Sequence, residues 1–219
     1  MTDDRLTPLQ RRILRVLAGL RPPWTLTGGA LAGIYLGHRT TRDLGLFWRA
    51  RPALGQSAVE AQALLRADGM DVVVLRTAPM FGELRVSDGE DVCIVDLASE
   101  PFPPVELPEH RTIDDAVIAV DSMHEILAAK LTALLGRTEL RDLVDVQALV
   151  EAGTDLTSAL HDAPKKDAGF SAMTLAWVLH SFDVEPLARA LGWTEGEVAG
   201  VEAFRRQLID RLAAISRPG

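Results

Sequence analysis

Three short apolar runs, Asp71–Arg76, Gly82–Val86 and Val92–Leu97, follow one another closely in the first half of the chain, and beyond Ser122 the pattern becomes helical. Runs of this length, rich in Val, Ile and Leu and bounded by Gly and Asp, read as strands. Asp88-Gly89 between the last two is a strong hairpin signal, because both residues tolerate the positive φ of a tight turn. From Ser122 onward, apolar residues recur at helical spacing over 122–135, 139–152, roughly 156–162, 170–180, 184–191 and 195–215. Ser122 with Glu125 makes a capping box at the first of these. An α+β first half followed by a mainly helical C-terminal half is therefore predicted.

The segment ahead of the strands is mixed. Leu6, Leu9, Ile13, Val16, Leu17 and Leu20 recur at helical spacing, with Thr7-Pro8 as a start and Arg21-Pro22-Pro23 as a stop. A short apolar run, Trp24–Thr27, leads into Gly28-Gly29, a small-residue helix over Ala30–Leu36, a polar turn at His38–Arg42 and a strand over Asp43–Trp48. Ala58–Ala67 reads as a helix closed by Gly69, and Ile118–Val120 as one more strand. Pro101, Pro103, Pro104 and Pro108 mark a loop, which divides the chain into a core at 1–108 and a mainly helical part at 109–219.

Composition narrows the setting. One cysteine rules out an internal disulfide framework, and 47% apolar residues suffice for a packed core. The N-terminus lacks the apolar stretch of a secretory signal, and no apolar run is long enough to span a membrane, so a soluble cytoplasmic protein is expected. The net charge of −8 is uneven: residues 1–51 carry +6, leaving −14 on the rest. Either an anionic ligand meets the N-terminal part or the arginines form an ordinary solvated helix face.

The chemistry concentrates in two blocks. The first is Leu26-Thr27-Gly28-Gly29-Ala30-Leu31-Ala32, continuing through His38-Arg39-Thr40-Thr41-Arg42-Asp43-Leu44-Gly45-Leu46-Phe47. Two glycines between a strand and a helix let backbone amides approach a phosphate at the positive end of the helix. An Asp opening the next strand can hold a divalent cation that bridges the same phosphates. The second block is Leu127–Leu135, an apolar helix containing Lys130, followed by Arg141-Asp142-Leu143-Val144-Asp145. A lysine in such a helix must reach water or an anion, since burying it unpaired is costly. A surface lysine that snorkels is the plainer account of it.

Together these blocks resemble the AbiEii/AbiGii nucleotidyltransferase-like toxins. Gly28, Gly29, Ala30, Leu31 and Ala32 match the family's GG-T-A-L-A with one residue deleted, and His38, Arg39, Thr41, Asp43, Leu46 and Phe47 match its H-R-x-S-x-D-x-D-L-F. The second block is similar to its A-x-K-L-x-A-L and R-D-x-x-D. The resemblance covers most of residues 24–150 and implies a nucleotidyltransferase-like mixed sheet with flanking helices. It further implies transfer of a nucleotidyl group from an NTP to an acceptor such as the 3′ end of tRNA, with a cognate antitoxin as protein partner.

Residue by residue, the resemblance implies catalytic roles for Asp43, Lys130 and Asp145. It implies nucleotide binding by Gly28, Gly29, Arg39, Thr41 and Lys130, and Mg²⁺ or Mn²⁺ on Asp43 with Asp96, the acidic residue expected on an adjacent strand. One position departs from the pattern: Gly45 stands where the family carries a second Asp, on the same side of the strand as Asp43. Three readings stay open: a weakened transferase, a non-catalytic descendant that binds a nucleotide or partner, and transfer to a small-molecule hydroxyl. Cys93 reads as a buried core residue.

Overall fold

The computed structural model describes residues 5–28 and 34–215, and the chain divides into two compact units, Met1–Ile126 and Leu127–Gly219. In the first unit, α1 (Pro8–Leu17) starts at a capping box. The Thr7 hydroxyl accepts the Gln10 N–H at 3.2 Å, and the Gln10 side-chain oxygen accepts the Thr7 N–H at 2.9 Å. Leu9, Ile13, Leu14 and Leu17 line the buried face of this helix.

The sheet of this unit has seven strands: β1 (Thr25–Thr27), β2 (Asp43–Trp48), β3 (Asp71–Ala78), β4 (Phe81–Asp88), β5 (Asp91–Ser99), β6 (Glu109–Ile113) and β7 (Ala116–Val120). Their order is β3-β4-β5-β2-β1-β7-β6. Pairing is mixed: β2 with β5 and β1 with β7 run parallel, and the other neighbours run antiparallel.

Alternation splits the central strands into two faces. Leu44, Leu46 and Trp48 of β2, Cys93, Val95 and Leu97 of β5, and Leu84 and Val86 of β4 are buried in one core. Leu9, Ile13, Leu14 and Leu17 of α1 join it, with Ala61 and Leu65 of α2 (Ser57–Ala67). Burying each large aliphatic side chain is worth about 1.5–3 kcal/mol, so this face fixes the register of β2 and β5. The opposite face carries the half-buried residues Asp43, Gly45 and Phe47 of β2 and Ile94, Asp96 and Ala98 of β5.

Several elements differ from the sequence reading. The strands β3 and β4 run longer than the apolar runs that announced them and meet at a turn through Pro79 and Met80, with a register shift between Val74 and Arg76. The hairpin strand β6 was not expected: Glu109, His110, Arg111 and Thr112 are exposed, and β6 pairs only with β7, so no apolar alternation marks it. The helix expected over 30–36 falls largely outside the described residues.

The second unit is helical. The helix α3 (Met123–Arg137) carries the unit boundary, and α4 (Leu140–Glu151), α5 (Leu156–Lys166), α6 (Ala172–His180), α7 (Val184–Ala190) and α8 (Glu195–Ile215) follow. Leu131, Leu134, Leu143, Val146, Leu149, Leu175, Leu179, Leu208 and Leu212 are buried. The α+β architecture expected from the sequence is the one observed. Among the described residues no helix is long and apolar enough to cross a membrane.

Candidate active site

The first cluster is built by strand register. Asp43 pairs with Ile94 and Gly45 with Asp96 across the parallel β2–β5 ladder, so Asp43 and Asp96 are diagonal neighbours on one face, about 7–8 Å apart in ordinary sheet geometry. Thr27 of β1 pairs with Gly45 from the other side. Gly28, directly after it, comes level with the start of β2 and has φ +58°, a backbone conformation that favours glycine. Gly29, the other half of the sequence motif, lies outside the described residues, as do Ala30, Leu31 and Ala32.

Gly45 has no positive φ, and a Cβ at that position would meet Thr27 Cγ2 at 3.3 Å and Phe47 Cε2 at 3.4 Å. The space beside Asp96 that a second aspartate would enter is therefore bordered by a methyl group and an aromatic ring. Phe47 in turn lies under the Arg49 guanidinium, 5.0 Å from its centroid. Arg49 is half-buried and paired with Glu100, Asp121 and Glu125.

The turn into β2 is held by side chains that sequence reasoning underused. Thr41 is buried; its hydroxyl donates to the Asp43 carbonyl at 3.1 Å and accepts the Asp43 N–H at 3.2 Å. That hydroxyl therefore fixes the backbone of Asp43. Gln10, fully buried on α1, donates to the Thr41 carbonyl at 2.9 Å and so ties the same turn to the N-terminal helix. The only sign of Gln10 in the sequence is its place three residues after Thr7, the second member of a capping box. Arg39 is half-buried just before this turn and donates to the Thr40 carbonyl at 3.3 Å. Cys93 is buried on the core side, and its thiol is pushed up to about 12 by burial, with the charges of Asp43 and Asp96 adding to the effect.

The second cluster lies within the second unit. Lys130 and Arg137 sit seven residues apart on α3, and Asp142 and Asp145 three apart on α4, so each pair shares a helix face. The Lys130 ammonium lies 2.7 Å from Asp142 Oδ1 and 2.7 Å from Asp145 Oδ2. Both carboxylates are fully buried, and Lys130 is 8% exposed. Arg137 adds two bonds to Asp142, at 2.8 and 3.0 Å. Burial alone would push the Asp142 carboxyl up; hydrogen bonds from Arg137 and the Lys130 charge outweigh it and hold the group below the usual carboxylate range. Asp142, to which the sequence reading gave no role, is as much a part of this cluster as Asp145.

The N-terminal arginines are to a large extent committed inside the first unit. Arg11 pairs with Asp114 at 2.9 Å, Arg12 with Asp68 at 2.6 Å and also with Asp88, and Arg49 with the acids above. The local charge excess of residues 1–51 is thus partly cancelled in space by acids from later in the chain.

Comparison with known proteins gives these clusters a context. No curated protein matches the chain. MenT4, a nucleotidyltransferase toxin from Mycobacterium tuberculosis, is similar in structure, with a TM-score of 0.62 at 18% identity over 94% of this chain and 82% of the other. JHP933 from Helicobacter pylori has a TM-score of 0.55 at 17% identity over 95% of this chain and 92% of its own. At such identities these two share the fold. The profile of the nucleotidyl transferase AbiEii toxins of type IV toxin–antitoxin systems matches residues 12–211, and on that match the chain belongs to the AbiEii family of nucleotidyl transferase toxins.

Proposed function

We propose that this protein transfers a nucleotidyl group from an NTP to the 3′-hydroxyl of an RNA, with tRNA as the first acceptor to test, and acts in the cytoplasm as the toxin of a pair with a cognate antitoxin. The observation that carries the reading is the diagonal placement of Asp43 and Asp96 on one sheet face, beside the left-handed Gly28 at the end of β1.

The donor set fits one hard divalent cation, Mg²⁺ or Mn²⁺. Among the described residues no group of three or more His, Cys, Asp or Glu side chains is arranged to hold a metal. Two carboxylates nevertheless suit an ion that takes its remaining oxygens from water and the triphosphate. When bound, the cation supplies charge neutralisation at the phosphates and lowers the barrier to attack by a hydroxyl. Asp43 and Asp96 hold it; the Gly28 turn, with Gly29, offers backbone amides to the phosphates; Thr41 and Gln10 keep Asp43 in place. Arg39 adds positive charge for the triphosphate; within the second unit, Asp145 orients Lys130, to which the family resemblance gives a nucleotide-binding role, through the 2.7 Å pair. Such a reaction requires positioning and charge stabilisation above all.

Gly45 favours a second reading, a descendant that binds a nucleotide or a partner without turnover. One experiment separates the two. Purified protein with Mg²⁺ is incubated with each radiolabelled NTP and total tRNA, beside an Asp43→Asn control. Label on RNA that depends on Asp43 supports transfer. NTP binding without label on RNA or on small hydroxyl acceptors supports the binding protein.

A further inference from the structure

The row of residues that contains Asp43 continues outward across the sheet. Asp43 pairs with Ile94, Ile94 with Arg85 of β4, and Arg85 with Val73 of the edge strand β3. Cross-strand partners point to the same face, so the Arg85 side chain stands on the face of Asp43 and Asp96, two strand spacings from Asp43, or roughly 10 Å. Arg85 is exposed, and its side chain forms no ion pair or hydrogen bond among the described residues. The next row is different. Glu83 stands directly beside Asp96, and its charge is met by Arg76 at 3.2 Å. Arg85 is thus an exposed cation on the same face as three carboxylates, Asp43, Asp96 and Glu83, of which Glu83 is met by Arg76.

The strand order gives that cation a direction. Gly28, at the end of β1, flanks β2 on one side, and β5 and β4 flank it on the other. On the reading proposed above, the donor triphosphate lies toward Gly28, so the opposite flank is open to the acceptor. We infer that Arg85 binds a backbone phosphate of a single-stranded RNA acceptor and positions its 3′-hydroxyl over Asp96 and Asp43. This rests on the transferase reading for the location of the donor. A phosphodiester chain matches the site because it brings a negative charge to Arg85 while its terminal hydroxyl, which is neutral, meets the carboxylates. Arginine suits the task, since its planar fork can bind two phosphate oxygens at once.

The test uses binding, so it does not depend on turnover. A fluorescein-labelled RNA oligonucleotide with a free 3′-hydroxyl is titrated by anisotropy at several salt concentrations against wild type, Arg85→Ala, Arg85→Lys and, as a control on α2, Arg66→Ala. Each of the four NTPs with Mg²⁺ is titrated by calorimetry. Arg85→Ala is expected to weaken RNA binding about tenfold, the order of one charge-assisted contact. It should also lower the salt slope by about 0.7, the loss of one phosphate contact to a single strand. NTP affinity should stay within about twofold by the same reasoning, because the donor lies on the other flank. Arg85→Lys should recover most of the salt slope, and Arg66→Ala should behave as wild type. Unchanged RNA binding in Arg85→Ala, an equal loss of NTP and RNA binding, or a wild type that binds no RNA overturns the inference. The radiolabel transfer assay reports on the transferase reading separately, so either can fail alone.

Discussion

Replacing Asp142 by Asn tests the buried charge cluster of the second unit. Asp142 is fully buried and accepts three bonds, from Lys130 at 2.7 Å and from Arg137 at 2.8 and 3.0 Å. Removing one partner of a buried ion pair typically costs about 3–5 kcal/mol, because the other charge is left uncompensated. Two features reduce that figure. Lys130 keeps Asp145 at 2.7 Å, and the Arg137 side chain is 48% exposed and can turn to water. Asn keeps the volume but turns an amide donor toward two cationic donors. A loss of about 2–3 kcal/mol at pH 7 is therefore expected. For a chain of this size that corresponds to a fall in Tm of about 5–10 °C.

The pH dependence has a definite sign. The folded Asp142 carboxyl titrates below its unfolded value, so its stabilisation is fully present above the unfolded pKa of about 3.9 and is lost as pH falls through the depressed folded value. The gap between wild type and Asp142→Asn should be full at pH 7 and should narrow as pH drops through about 4. Urea unfolding followed by circular dichroism across that range measures it. A gap under about 0.5 kcal/mol at pH 7, or one that does not narrow in acid, would refute the assignment. Lys130→Met should be worse than Asp142→Asn, since it removes the ammonium that bridges two fully buried carboxylates.

Other expectations follow from the first unit. Gly45→Asp should fold, since Gly45 has no positive φ and the tightest contact of the new Cβ is 3.3 Å to the Thr27 methyl; it should raise Mn²⁺ affinity in calorimetry, and a folded variant with no gain would count against the metal site. Wild-type protein should bind Mg²⁺ weakly alone and more tightly with NTP present, and tight Mg²⁺ binding without nucleotide would contradict a site that relies on substrate oxygens. Cys93, buried and with its thiol raised to about 12, should resist iodoacetamide at pH 8 in the native protein and react in urea; stoichiometric native labelling, read by mass spectrometry, would show the site to be open.

The parts of this molecule that were legible in sequence are those where local chemistry and tertiary role agree. The strand β2 has the ends expected from the sequence, Asp43–Trp48, and within it Leu44, Leu46 and Trp48 alternate with Asp43, Gly45 and Phe47, of which the core buries only the first set. Gly28 was legible as a turn because its left-handed backbone demands such a residue. The hairpin strand β6 was not legible, because an exposed edge strand of Glu109, His110, Arg111 and Thr112 leaves no periodic trace. Within the candidate site, an anion for Lys130 was foreseeable from its apolar helix. Which anion it meets depends on how α3 packs on α4, and no local pattern encodes that. The role of Thr41 was hidden for the same reason: its hydroxyl could face a ligand or the backbone, and only the fold shows it bound to Asp43.

The two carboxylate pairs differ in a way that sorts their roles. Asp43 and Asp96 are half-buried on a sheet face. Asp142 and Asp145 are fully buried and already face an ammonium, joined on Asp142 by a guanidinium. A carboxylate with an ammonium 2.7 Å away is poorly placed to accept a proton from a substrate, and well placed to hold that ammonium still. On the function proposed above, Asp145 would act through Lys130, holding its ammonium in place. An ammonium has three N–H donors, and two are directed at Asp142 and Asp145. On the function proposed above, the third would serve a phosphate oxygen, in an orientation that the two carboxylates set beforehand. A charge fixed in advance costs no reorganisation when the reaction occurs.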